Sequence, residues 1–235
     1  MAATRVWGAT FLWLVVSMLP AVTAAQATNL APGFSALPAD AKILIAPLDV
    51  ELFSLSAGGV TEPRADWTAS ALKHMQQALA GRKQALGLSS TELSAAKAEE
   101  QAELLNLHAA VARAISIHHR GVFKLPTKED KLDWSFGDVL RPLRDASGAR
   151  YGLFTWVRDS YASAERKAMM IGLALLGVGV AGGQQVGYAT LVDLETGQVL
   201  WFNQLQRLSG DLREAEPAKE SVATLLTGFP APKKP

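Results

Sequence analysis

The stretch "VGYATLVDLETGQVLWFNQLQ" (residues 186–206) contains two strand-like runs on either side of Glu195, Thr196 and Gly197. Runs of this composition, separated by a short loop that contains glycine, are typical of a β-hairpin. Another aromatic run, "RYGLFTWVRDSYA" (residues 150–162), precedes it and predicts a further strand. The carboxyl-terminal part of the chain is therefore predicted to form a sheet that ends in a hairpin.

The amino-terminal half adds a strand and a helix. "KILIAPLDVELF" (residues 42–53) is rich in Ile, Leu and Val, and Pro47 suits a position near one end of a strand. From Asp66 onward, apolar residues recur at helical spacing, and Gly81 or Gly87 can end the helix.

The strongest helical pattern covers residues 89–120. Ser89 and Glu92 fit a capping box, and Gly121 is well placed to stop the helix. Such a helix is long enough to require packing on the first helix or a bend. Together these patterns predict an α/β (α+β) fold: a mixed sheet with a carboxyl-terminal hairpin, packed helices including one long helix, and an apolar glycine-rich insertion.

That insertion is "AMMIGLALLGVGVAGG" (residues 168–183), which has no polar side chain. Its helix-compatible part is about 14 residues, or roughly 21 Å, too short for a bilayer core of about 30 Å. We predict a short apolar helix and a glycine-rich turn that feeds the hairpin. Either it packs on its own sheet, or it contacts a membrane surface or a partner. The candidate contact residues are Met169, Met170, Ile171, Leu173, Leu175, Leu176 and Val178.

The first residues have the layout of a secretory signal peptide: one charge at Arg5, an apolar run, and small residues before a cleavage site. A retained amino-terminal anchor is the alternative. The predicted organisation is a signal peptide at 1–24, an extended leader at 25–41, one α/β domain at 42–229 with a helical insertion at about 89–120, and a tail at 230–235.

The chain has no cysteine, which excludes disulfides, thiolate metal sites and the lipid-bearing cysteine of a lipoprotein. An exported domain without disulfides favours a bacterial periplasm. Without Arg5, 22 basic side chains balance 22 acidic ones. No basic face is evident, so we do not expect nucleic-acid binding.

Two patterns suggest a cofactor site or a metal site, but the surrounding sequence does not support either. "GVGVAG" (residues 177–182) matches a dinucleotide-binding loop, but that loop needs a following helix and this one precedes a strand. On one helix, His108 and His119 would lie about 16 Å apart along the axis. His74 belongs to a different helix. We predict no cofactor and no metal.

Arg158, Asp159 and Ser160 form a candidate polar cluster in "VRDSY". A serine at a strand end suggests a hydrolase, but the G-x-S-x-G elbow is missing and no histidine follows. The other interpretation is local pairing of Arg158 with Asp159, or a helix cap from Asp159, Ser160 or Ser163. We therefore predict no catalytic residue, and we favour a protein without enzymatic activity over an enzyme.

The pattern of an aromatic strand, a small-residue insertion and "LVDLETGQVLW" (residues 191–201) resembles the domain shared by curli-secretion-type lipoproteins, related outer-membrane assembly lipoproteins and the amino-terminal domain of TolB. The opening strand "KILIAPLDV" followed by a helix fits too. The resemblance covers about residues 42–79 and 150–206. It implies an α/β sandwich without catalytic residues and a role in envelope assembly or secretion.

The resulting hypothesis is a non-enzymatic periplasmic envelope protein that acts in assembly or secretion. It would work through an envelope protein partner or a membrane surface, and homo-oligomers are possible. One alternative is a small hydrolase that uses Ser160 and Asp159. The other is a lipid or small-molecule carrier with the insertion as a lid over an apolar cavity.

Overall fold

The structure, a computed structural model, describes residues 29–232. The predicted signal peptide, the first residues of the predicted leader and the last three residues of the tail lie outside this range. Within it, the predicted fold class is confirmed. A seven-stranded mixed sheet carries helices on both faces and ends in an antiparallel hairpin. The strands are β1 (Lys42–Ile45), β2 (Asp49–Leu55), β3 (Thr61–Pro63), β4 (Ser89–Glu92), β5 (Tyr151–Ala162), β6 (Gln185–Asp193) and β7 (Val199–Arg207).

The 12-residue strand β5 organises the sheet. Both β1 and β2 run parallel to it along one side, β1 beside its first residues and β2 beside its second half. Pro47 lies at the break between them, which fits because proline cannot donate to a ladder. Strand β6 pairs antiparallel on the other side of β5, and β7 pairs with β6. Strand β4 extends the sheet beyond β1, and β3 extends it beyond β2.

Helices cover the two faces of the sheet. Successive side chains of a strand point to opposite faces, so each strand supplies both cores. The α-helices are α1 (Ala65–Leu86), α2 (Ala95–Glu100), α3 (Ala102–Ile115), α4 (Arg141–Ser147), α5 (Ala164–Leu175) and α6 (Ala215–Leu225). Leu153 and Trp201 pack in the core under α1 and α6, whereas Phe154 and Phe202 pack in the core under α3 and α4.

The prediction of one continuous helix over residues 89–120 is wrong. Ser89 and Glu92, read as a capping box, belong to β4, which pairs in parallel with β1. Helices α2 and α3 follow, separated at Gln101, and a π-helical turn (Ser116–Arg120) completes the segment before Gly121. Among residues 29–232 the longest helix is instead α1, with 22 residues, and it ends at Gly87 in the left-handed conformation.

The geometry of the hairpin turn explains why "DLETG" (residues 193–197) begins with aspartate and ends with glycine. The Asp193 carboxylate accepts hydrogen bonds from the backbone N–H groups of Glu195, at 2.9 Å, and Thr196, at 3.3 Å. Gly197 has a φ of 70°, and a Cβ there would lie 1.8 Å from the Gly137 carbonyl oxygen. The turn thus needs an aspartate to accept and a glycine where the chains touch.

The described part of the leader packs on the domain. Leu30 forms an antiparallel bridge with Trp201 of β7, flanked by hydrogen bonds from Ala31 N to Leu200 O and from Phe202 N to Asn29 O, both 2.9 Å. Leu37 is buried, and its N–H donates to the Pro230 carbonyl. Residues 29–31 therefore cover part of the outer edge of β7.

Candidate docking site at one end of the sheet

One end of the sheet gathers three connections. Leu55 of β2 pairs with Ala162 of β5, and Gln185 of β6 pairs with Arg207 of β7. Ser160 N donates to Gln184 O across the same end, at 3.1 Å. The segments that follow β2, β5 and β7 therefore leave the sheet together. We call this region the arm end, and we call residues 163–184, which include α5, the arm.

Local signals fix the helix of the arm at both ends. The Ser163 hydroxyl accepts a hydrogen bond from Arg166 N at 3.2 Å, so Ser163 is the N-cap. At the other end, Gly177 N donates to Ala174 O and Val178 N donates to Leu173 O, both at 3.0 Å, with Gly177 at φ 78°. This is a Schellman motif. Gly177 thus ends a helix, and "GVGVAG" leads into strand β6 without a following helix, as predicted.

A single buried cation holds the arm to the sheet. Arg166 is the buried residue of α5. Its guanidinium donates to the Ala181 carbonyl at 2.9 and 3.2 Å and to the Ser56 carbonyl at 3.2 Å. These bonds join α5 to the loop after β2 and to residues 178–184, which we call the return half of the arm. Hydrogen bonds from a charged donor are stronger than neutral ones, so Arg166 is the main tether of the arm.

Glycines allow the return half of the arm to lie close to its neighbours. A Cβ on Gly183 would lie 1.9 Å from the Ser160 carbonyl oxygen, a distance that no side chain tolerates. A Cβ on Gly182 would lie 3.2 Å from the Met170 terminal methyl, which shows that Met170 packs over this glycine. The glycine-rich composition thus serves close packing of the arm on itself and on β5.

The predicted contact residues are mostly on the outside. Met169, Met170 and Leu173 are half-buried. The others are strongly exposed: Ile171 by 67%, Leu175 by 85%, Leu176 by 77% and Val178 by 48%. Among residues 29–232, no helix has the length and hydropathy needed to cross a membrane. The end of α5 and the residues after it thus form an apolar protrusion, whereas Arg166 and the glycines hold the base of the arm against its neighbours.

Two further exposed apolar residues at this end were missed by sequence reasoning. Val60, after β2, is 62% exposed and Leu208, after β7, is 76% exposed. Leu208 lines the same small cavity, of about 140 Å³, as Gly182 and Gly183 of the arm. A lone apolar residue in a polar loop has no periodicity, so only the sheet register reveals that both lie beside the arm.

Arg158, Asp159 and Ser160 do not form one cluster. Because they are consecutive on β5, Asp159 points to one face of the sheet and its neighbours point to the other. Arg158 pairs with Asp49 at 2.6 Å and Glu51 at 3.3 Å. The Ser160 hydroxyl accepts from Gln184 N at 3.0 Å and donates to Gln184 O at 3.2 Å. Two of the three residues therefore serve strand pairing and the attachment of the arm.

Asp159 belongs to a buried network beneath the arm. It accepts hydrogen bonds from the Tyr161 hydroxyl and from Gln185 Nε2, the latter at 2.7 Å. Ser221 of α6 donates to Gln185 Oε1 at 2.7 Å, and the Tyr161 oxygen accepts from Leu212 N at 2.7 Å. Burial raises the pKa of Asp159, although the bonds from Tyr161 and Gln185 act in the opposite direction. The network joins β5, β6 and α6, and every named group in it has a structural partner.

The hydrolase alternative finds no base at these positions. In the described chain, the hydrogen-bond partner of the Ser160 hydroxyl is the Gln184 backbone, and the Asp159 side chain meets Tyr161 and Gln185. His108 is buried against Phe154, with ring centroids 4.2 Å apart, and burial lowers its pKa to about 3. Residues 29–232 contain no group of three or more His, Asp or Glu side chains arranged to hold a metal ion.

The carrier alternative requires an apolar cavity beneath the arm. The cavity that adjoins the arm has a volume of only about 140 Å³, and its lining includes Ser209 and Gly210. Four larger cavities, of about 220 to 720 Å³, are lined by other parts of the chain, and no residue of the arm lines them. The arm is therefore not a lid over any of these four larger cavities.

Comparison with known proteins gives no family. No family model and no curated protein matches this chain. Among solved structures, a PelC dodecamer from Paraburkholderia phytofirmans aligns at 17% identity and a TM-score of 0.39, over 85% of this chain and 94% of that one.

Two further solved structures align more weakly. Lipoprotein GNA1162 from Neisseria meningitidis aligns at 15% identity and a TM-score of 0.32, over 72% of this chain and 81% of its own. The LpoB carboxyl-terminal domain from Salmonella enterica aligns at 14% identity and a TM-score of 0.28, over 75% and 87%. At these TM-scores none of the three alignments carries an argument about function.

Proposed function

We propose that this chain is a non-enzymatic protein of the bacterial cell envelope, exported to the periplasm, which acts in assembly or secretion by docking through its arm. The observation that carries the proposal is the exposure of Ile171, Leu175 and Leu176 on a helix whose single buried residue is an arginine. Contiguous exposed apolar surface on a folded protein marks a contact site.

The structure of the arm supports the proposal that its apolar end is a binding surface. We call Leu175, Leu176 and Val178 the apolar tip of the arm. The tip is held in a defined position by a helix cap at Ser163, a Schellman motif at Gly177 and three hydrogen bonds from Arg166. An ordered apolar tip loses less conformational entropy on binding than a loose one.

The test compares envelope association of the exported chain and a double variant, Leu175→Asp and Leu176→Asp. We expect the wild-type chain to sediment with washed envelopes and the variant to stay in the supernatant, since both side chains are exposed and folding does not need them. Val139→Asp is the matched control: Val139 is 42% exposed and lies near Gly137, which contacts the hairpin turn at the opposite end of the sheet.

Equal sedimentation of the wild-type chain and the double variant would contradict the proposal. The thermal unfolding midpoints of all three proteins should agree, so that a difference in sedimentation reports docking. Sedimentation velocity of the purified chain adds a second readout. If the arm joins copies of this chain, the wild type forms an oligomer and the double variant a monomer.

A further inference from the structure

The apolar surface at the arm end comes from three separate parts of the chain. Val60 follows β2, the tip of the arm follows β5, and Leu208 follows β7, and all three strand ends lie at one end of the sheet. Contacts join the three segments: Arg166 bonds to Ser56 O in the first loop, and the arm shares a cavity with Leu208. All three segments therefore place exposed apolar side chains at the arm end.

The chemistry of the tip differs from that of a protein-binding helix. A helix that docks in a protein groove has an apolar stripe with a polar rim, because its other face stays in water. Residues 168–183 have no polar side chain on any face. Leu175 and Leu176 are adjacent, point in different directions on the helix, and are both strongly exposed. Such a tip suits a medium that surrounds it on all sides.

We propose that the arm end inserts into the outer part of a lipid bilayer; this inference rests on the proposed docking function and names its partner. The tip is too short to span, and the return half of the arm is irregular. Its backbone amides need water, which limits insertion to the tip. A depth of about 5 to 10 Å, typical of interfacial helices, immerses Leu175, Leu176 and Val178.

The charges at the arm end indicate which lipids are needed. Glu165 and Lys167 lie at the base of the helix, exposed and opposite in sign. Arg166 is turned inward, and Arg207 pairs with Glu220 at 3.3 Å. Because no basic excess surrounds the tip, the attraction is apolar. Binding should therefore need no anionic lipid and should survive salt that screens surface charges.

The absence of cysteine allows a direct test, since one introduced cysteine can carry an environment-sensitive dye. Leu175→Cys and Val139→Cys are labelled separately and mixed with phosphatidylcholine vesicles that contain no protein. We expect the dye at position 175 to shift to shorter wavelength and brighten, and the dye at position 139 to stay unchanged. The response should be equal in 10 mM buffer and in 0.5 M salt, although the Debye length falls from about 30 Å to about 4 Å.

A second variant tests how deeply the arm end inserts. Replacing Val60 and Leu208, which lie beside the strand ends, by serine should leave vesicle binding unchanged, because insertion limited to the tip keeps both side chains in water. Its unfolding midpoint should match that of the wild type. Weaker vesicle binding in this variant would show that the loops at the strand ends also enter the lipid, and it would overturn insertion limited to the tip.

The outcomes separate this inference from the proposed function. If vesicles leave the dye at position 175 unchanged while envelopes still bind the chain, and protease treatment of the envelopes abolishes that binding, the partner is a protein. The lipid inference then fails and docking through the arm stands. Equal dye responses at positions 175 and 139 would indicate unspecific adsorption and would also overturn the inference.

Discussion

Helices α5 and α6 are nearly equal in length, with 12 and 11 residues, yet they meet opposite surroundings. Helix α6 carries charges at Glu216, Lys219 and Glu220 and buries Ala218, Val222 and Leu225. Helix α5 is free of charge after Lys167, yet it buries Arg166. Burial thus follows the arrangement of apolar residues and not their number: α6 has one apolar face, whereas α5 has no polar face to place in water.

The last residues of the two helices give the sharpest test of this contrast. Leu225 is 1% exposed and Leu175 is 85% exposed. Leu225→Ala should lower the free energy of unfolding by about 3 kcal/mol, because it leaves a cavity. Leu175→Ala should change it by less than about 0.5 kcal/mol. Urea unfolding followed by tryptophan fluorescence measures both, and a comparable loss in the two variants would mean that α5 packs on the protein.

Two glycines of the arm make a second pair. Gly183→Ala should destabilise the protein by about 2 kcal/mol, because its Cβ would meet the Ser160 carbonyl and force the chain apart. Gly172 lies within α5 with open space around it. Gly172→Ala should stabilise the helix by up to about 1 kcal/mol. Thermal unfolding of the two variants should therefore shift in opposite directions, and shifts of the same sign would refute the close approach at Gly183.

The tether at Arg166 can be weakened without touching the tip. Arg166→Met removes the hydrogen bonds to the carbonyls of Ala181 and Ser56 while keeping an apolar stem. Amide hydrogen exchange in residues 177–184 should accelerate roughly tenfold, since opening of the arm becomes easier by more than 1 kcal/mol. Lys167→Met, on the exposed side, is the control and should leave exchange unchanged. Protection that persists in Arg166→Met would show that other contacts hold the arm.

The smallest effect concerns pH. Burial raises the pKa of Asp159 in the folded state above its ordinary value of 3.8. At pH values between 3.8 and the raised pKa of the folded state, the unfolded chain has lost the Asp159 proton and the folded chain retains it. The contribution of Asp159 to stability therefore falls as the pH rises through this window. Asp159→Asn removes the titration, and its stability relative to wild type should increase from pH 3 to pH 7. Urea unfolding across this range checks it, and a constant difference would contradict the burial effect.

The sequence allowed prediction of the parts of the fold that carry a periodic or turn signal. The hairpin, β5 and the end of α1 at Gly87 are where apolar runs and glycines indicated them. The failure at Ser89–Glu92 has a physical cause: a polar edge strand has no apolar alternation, and the same Ser-x-x-Glu spacing fits a capping box. Its pairing with β1 decides the matter, and that contact is distant in sequence.

The candidate site was predictable only in part. The uncharged composition of the arm indicated either a contact surface or a buried connection, because both kinds of segment have the same amino-acid composition. The outcome depends on Arg166, whose burial against two carbonyls turns α5 outward, and on the register that brings Val60 and Leu208 beside it. Neither the inward cation nor the neighbouring loops leave a signal in local sequence.

The short segment at residues 29–31 also has a consequence for handling this protein. Its two hydrogen bonds to β7 close part of the outer edge of the sheet. A free edge offers unpaired N–H and C=O groups to any other extended chain. A truncation or a bulky fusion that displaces residues 29–31 would open this edge to edge-to-edge aggregation, so an affinity tag should be placed with several residues of spacer before Asn29.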